Sequence, residues 1–166
     1  MQYLTNFVSK STIKPELAQI FVHMRDGKKY AVATDSWRLA EIEITEGFLF
    51  ENLPCGYYTP VLWKSISKHA GRRKMDVTGI MQVFEQVKAV QKYYESYTYP
   101  EYARVIPSEL HPFKALKVNT EYFSDFLNAI GKAHIDFNSD ISTDKDGKMY
   151  VYKDETRTLL LMAVSK

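Results

Sequence analysis

Two β-rich runs, 19–24 and 29–34, are separated by Arg25, Asp26, Gly27 and Lys28. Asp-Gly at that place specifies a tight hairpin, because glycine takes the positive φ such a turn needs without steric cost. A further run, 38–44, alternates Ala40, Ile42 and Ile44 with Leu39, Glu41 and Glu43, the period-2 pattern of a strand. The first part of the chain is therefore an antiparallel meander.

Helices are marked on either side of it. Residues 2–11 are expected to form a short helix, with Leu4, Phe7 and Val8 on one side and Pro15 closing it off. A second helix is bounded by Thr59 as N-cap, Pro60 at the first helical position and Gly71 just past the end. The third runs from about Thr120 to Lys132 on an apolar face of Phe123, Phe126, Leu127 and Ile130, with Gly131 weakening its end. Between the last two, strands are expected at 75–78 and 81–86, then a tyrosine-rich stretch to Arg104. Two final strands meet near Asp144, Lys145, Asp146 and Gly147. A helix followed by strands thus recurs with starts near residues 2, 59 and 120. The fold class expected is α+β, with helices on one face of antiparallel sheets.

Several classes of function are argued against. One cysteine, Cys55, among 166 residues excludes a disulfide framework and a Cys-based zinc site, and fits a reducing cytoplasm. Apolar runs such as 158–164 are far shorter than the roughly 20 residues of a membrane-spanning helix. The N-terminal Met-Gln-Tyr-Leu-Thr-Asn-Phe has no basic start or apolar block, so no secretory signal is expected. His23, His69, His111 and His134 stand apart from metal-ligand or catalytic spacings. Ser142, Asp144, Asp146 and Gly147 resemble the start of a calcium loop, but its twelfth position is Lys153 where a bidentate glutamate is needed, so a hairpin turn is expected. No catalytic residue, metal or cofactor is expected, and the chain is not read as an enzyme.

Binding features are stronger. Lys64, Lys68 and Arg72 recur every four residues on one face of the second helix, with Arg73 and Lys74 just after, while Leu62 and Ile66 point toward a core. Such a stripe suits phosphates contacted without base reading, or it is an ordinary solvated face. Glu121, Ser124, Asp125 and Asn128 make the polar side of the third helix acidic instead. Five of the 12 tyrosines, Tyr93, Tyr94, Tyr97, Tyr99 and Tyr102, fall within ten residues. They could stack on bases, but cross-strand packing is the favoured reading.

Three segments taken in order resemble the bacterial β sliding clamp family, the processivity subunit of the replicative DNA polymerase. The first is Ile13-Lys-Pro-Glu-Leu-Ala-Gln-Ile-Phe21 leading into Ala31-Val-Ala-Thr-Asp-Ser-Trp-Arg-Leu-Ala-Glu41. The second is Tyr99-Pro-Glu-Tyr-Ala-Arg-Val-Ile-Pro107, and the third Leu160-Leu-Met-Ala-Val-Ser-Lys166. The resemblance implies a DNA-clamp-like fold of repeated helix-plus-strand units, divided as a clamp-like domain 1–107 and a half-domain 108–166. It implies no catalysis, and a hydrophobic pocket for a partner's short motif, formed by Thr34, Ser36, Trp37, Arg38, Leu39, Pro100, Arg104, Val105, Leu160, Leu161, Met162, Ala163 and Val164. Partners would be double-stranded DNA, met non-specifically through Lys64, Lys68, Arg72, Arg73 and Lys74, and a polymerase or other motif-bearing protein. A homo-oligomeric ring in the cytoplasm is implied, with no membrane association. A pocket-only adaptor or decoy is the alternative. Trp37 stands where the family has histidine or tyrosine, Ala163 where it has proline, and the chain is short for a clamp.

Overall fold

The computed structural model describes residues 2–45, 52–70, 77–113, 117–132, 134–137 and 139–163. Among the described residues eight strands make one sheet: β1 (Ile20–Arg25), β2 (Lys28–Thr34), β3 (Arg38–Glu43), β4 (Gly56–Tyr58), β5 (His111–Pro112), β6 (Ser142–Thr143), β7 (Met149–Lys153) and β8 (Arg157–Met162). Their order is β4-β1-β2-β3-β8-β7-β6-β5, antiparallel throughout. Strands β3 and β8 pair from Arg38 with Leu161 to Ile42 with Arg157, so the sheet runs unbroken between residues 1–107 and 108–166. Asp26 and Gly27 both take positive φ, 51° and 76°, which makes the β1–β2 link the two-residue turn its sequence demands.

Three α-helices lie among the described residues: α1 (Pro60–Ala70), α2 (Val77–Tyr94) and α3 (Thr120–Ile130). The Thr59 hydroxyl accepts a bond from the Leu62 amide at 3.2 Å, capping α1 as expected. Asn119 Oδ1 accepts from the amides of Glu121 and Tyr122 at 2.9 and 3.2 Å, and Gly131 closes α3 at φ 69°. Gly131 is therefore the C-cap rather than a weakness, since a left-handed residue costs glycine least.

Two expectations are corrected. Residues 77–86 carry no hairpin but belong to α2, while 75 and 76 lie outside the described residues. Val83, Val87, Val90 and Tyr94 recur at helical spacing, with Gln82, Glu85, Gln86 and Lys88 turned outward, so the 3.6-residue period runs through the stretch read as two short strands. The N-terminal helix is only a 3-10 turn, Gln2–Asn6, which still buries Leu4 and delivers Phe7 to the core. Lys74 and its neighbours Gly71, Arg72 and Arg73 lie outside the described residues.

Alternation along the strands builds two cores. On one face Ile20, Ala33, Ile42, Leu159 and Leu161 pack against Phe7, Trp63, Ile66, Val87 and Phe126 beneath the helices. On the other, Val32, Leu39, Tyr57, Val151 and Leu160 are covered by Leu17, Tyr94, Tyr99 and Tyr102. Strand β3 is consequently buried on both sides, and Glu41, 3% exposed, is neutralised by Arg25 at 2.5 Å. A buried carboxylate without that partner would cost several kcal/mol, roughly the range for a broken interior ion pair. The tyrosine cluster divides: Tyr94, Tyr99 and Tyr102 pack, with Tyr99 stacked on Phe21 at 4.8 Å, while Tyr93 and Tyr97 are exposed.

Candidate functional site

The second sheet face is only partly covered. The strap 97–106 crosses it, ending in a 3-10 turn (Tyr102–Val105), and beside the strap an apolar groove of about 310 Å³ stays open. Its floor is Leu39 of β3, Leu160 and Met162 of β8 and Met149 of β7, side chains that share one face because strand residues alternate. Pro100, Glu101, Tyr102 and Val105 form one wall. The β2–β3 turn with Ser36 and Trp37 forms the other, and Lys14 and Leu17 close an end.

Side-chain bonds hold the turn open. Thr34 Oγ1 donates to the Arg38 carbonyl at 2.8 Å and accepts the Ser36 amide at 3.2 Å. Asp35 Oδ1 accepts the amides of Trp37 and Arg38 at 3.0 and 3.1 Å. Ser36 sits at φ 79°, a left-handed conformation few non-glycine residues adopt. The Met162 amide donates to the Trp37 carbonyl at 2.8 Å, tying the turn to the end of β8. Trp37 is left 57% exposed, with Val105 (51%) and Ile13 (87%) exposed nearby in sequence to the other lining residues.

The strap wall is anchored through Tyr102. Its hydroxyl lies 2.5 Å from His23 Nε2 and 3.4 Å from Arg25 Nη1, which in turn holds Glu41. Burial pushes the Tyr102 phenol far above the usual tyrosine range, and burial lowers the His23 imidazole below its ordinary value. At neutral pH the arrangement is an uncharged imidazole bonded to a protonated phenol.

Of the residues expected at the pocket, Thr34, Ser36, Trp37, Arg38, Leu39, Pro100, Val105, Leu160 and Met162 line this groove together. The others do not. Arg104 is exposed, pairs with Glu101 at 2.5 Å and lines a neighbouring polar cleft. Leu161 faces the helices, because one residue along a strand reverses the side chain, and Ala163 packs on that same side. Val164 lies outside the described residues. Arg38 contributes from its base only: its guanidinium runs to Asp35 at 2.9 Å and Asp125 at 2.5 Å, 4.3 Å from the Tyr122 ring centre. Lys14, Leu17, Glu101, Tyr102 and Met149 were missed. All but Met149 lie inside or at the edge of the quoted segments, and Met149 could have been found as the strand partner of Met162.

On the helix layer, Lys64 and Lys68 are exposed along α1, as expected, while Arg72, Arg73 and Lys74 fall outside the described residues. Neighbouring helices are mixed: Lys88 pairs with Glu85 at 2.8 Å on α2, and α3 exposes Glu121. Asp144 Oδ1 accepts the amides of Lys148 and Met149 at 2.7 and 3.0 Å, so the calcium-like stretch is a hairpin turn. Among the described residues no group of His, Cys, Asp or Glu side chains could hold a metal, and no helix is long and apolar enough to cross a membrane.

The molecule so far defines a class: an antiparallel sheet with helices on one face and an apolar groove on the other. Known proteins can be set beside it. No protein-family model and no curated protein matches the chain. Among solved structures it is similar to Caulobacter crescentus pol III beta, at 14% identity and a TM-score of 0.49, covering 99% of this chain and 63% of that one. A DNA polymerase III subunit beta sliding clamp from Bartonella birtlesii, bound to griselimycin, gives 13% identity and a TM-score of 0.47 over the same shares. The chain thus spans less than two thirds of the length of these clamps.

Proposed function

We propose that this is a non-enzymatic, clamp-like protein that tethers replication or repair partners by taking a short apolar segment of each into the groove. One observation carries the reading. Three segments that resemble the sliding-clamp family, far apart in sequence, come together around a single apolar groove with an open mouth. The groove has the composition such recognition needs: aliphatic and aromatic walls with a few placed polar groups. Lys64 and Lys68, continued by Arg72, Arg73 and Lys74, would contact duplex DNA non-specifically, and 1–107 with 108–166 would act as two clamp-like parts of a cytoplasmic homo-oligomeric ring.

Binding of a fluorescent clamp-binding peptide tests the groove. Leu39→Asp and Met162→Asp each place a charge on its floor and should abolish binding, while Met81→Asp, on the exposed side of α2, should not. Equal binding by all of them would end the proposal. Retention on closed circular DNA, measured against salt, tests the rest, since phosphate contacts release counterions and weaken steeply with salt. The mixed charge of α2 and α3 supports a second reading, an adaptor or decoy that uses the groove without holding DNA; salt-insensitive or absent retention would establish it.

A further inference from the structure

The groove crosses the sheet rather than following a strand. Its lining comes from β2, β3, β8 and β7, which are neighbours in that order. Three inter-strand spacings of ~4.8 Å make a span of about 14 Å, the length of roughly four extended residues. Charge along that span is uneven. Arg38 is satisfied by Asp35 and Asp125, and Glu101 by Arg104. Lys14, exposed at the end beside Leu17, has no ion-pair partner among the described residues. Glu16, two residues further on, does not line the groove.

We infer that the groove selects an extended apolar segment of about four residues that carries an acidic side chain at the end lying against Lys14. This rests on the peptide-binding reading above. The apolar floor supplies affinity, and the uncompensated ammonium sets which end of the segment lies where. An exposed ion pair of this kind is worth about two- to fivefold in Kd, so its contribution is to choice of partner rather than to strength.

The two tryptophans supply the measurement. Trp63 is fully buried under the helices, whereas Trp37 stands at the groove's rim, so a fluorescence change on titration reports the groove, and Trp37→Phe should remove it. Peptides with one apolar four-residue core, acetylated and amidated to remove terminal charges, carry glutamate, glutamine or lysine at either end. In one polarity the glutamate peptide should bind about two- to fivefold more tightly than the glutamine peptide. Lys14→Glu should invert the order, favouring lysine, and added salt should erase the differences. If all peptides bind alike and Lys14→Glu leaves them alike, the charge inference is overturned while the groove stands. If none binds, and Leu39→Asp matches the unaltered protein, the groove reading itself has failed.

Discussion

Arg38 and Asp125 meet at 2.5 Å, joining the first residue of β3 to the middle of α3. The same guanidinium holds Asp35, whose other oxygen carries the Trp37 and Arg38 amides. One buried cation therefore couples the helix layer to the turn that walls the groove on the opposite side of the sheet. Arg38→Met should lower stability by about 2–3 kcal/mol, below the full cost of a broken interior pair because Asp125 is partly solvated. A denaturant titration measures this. Asp125→Asn, which keeps a hydrogen-bond acceptor for Arg38, should cost less than half as much.

This coupling shows what was and was not legible in the sequence. The residues that line the groove recur in short segments that carry their own turn and strand signals, so Leu39, Leu160 and Met162 could be named in advance. Direction within a segment could not. Leu161 and Arg38 fall on the helix side because pairing register decides which alternate residue faces which layer, and register depends on partners more than a hundred residues away. The helix α2 was missed because a run of Val, Phe and Met around Gly79 suits a strand locally. Only the longer spacing of Val83, Val87, Val90 and Tyr94, packed beneath and beside the sheet, favours the helix.

The His23–Tyr102 contact predicts a dependence on pH. The folded protein holds the imidazole neutral, with its pKa lowered first by burial, so the unfolded chain binds a proton more readily. Below the unfolded value of about 6.5 the unfolded state therefore gains, and stability should fall as pH drops toward the folded pKa and level off beneath it. Arg25 adjoins the same imidazole and opposes its charging, while Glu41 favours it. Because Tyr102 is part of the groove wall, peptide affinity should decline over the same range. His23→Asn should flatten that segment of a stability–pH curve; an unchanged curve would assign the acid sensitivity elsewhere.

Ser36 offers a change in the other direction. Its φ of 79° costs a side-chain-bearing residue about 1–2 kcal/mol, and its amide bond to Thr34 keeps it there. Ser36→Gly removes that strain but adds freedom to the unfolded chain, so a net gain of about 0.5 kcal/mol is expected. Thermal denaturation should show a small rise in midpoint with peptide binding intact. Ser36→Val, with a branched side chain in the same conformation, should lower both.

The edge strand β4 is closed by a side chain. The Tyr57 amide donates to Gln91 Oε1 and Gln91 Nε2 donates to the Tyr57 carbonyl, both at 2.7 Å, so one side-chain amide of α2 occupies the place of a further strand. Gly56, at φ 132°, lies so close that a Cβ there would collide with that amide. An open edge invites pairing with a second chain, and this one is satisfied from within. Gln91→Leu should leave the Tyr57 amide and carbonyl unpaired, at a cost of about 1–2 kcal/mol, and should raise concentration-dependent association seen by light scattering. Gly56→Ala should reproduce both effects by displacing the amide and should cost more stability than Gln91→Leu, since φ 132° strains any side chain; that backbone part of the cost should persist when the two are combined, while the part due to the shared contact should not add. If Gln91→Leu associates no more than the unaltered chain, β4 is protected by the bulk of α2 rather than by this amide.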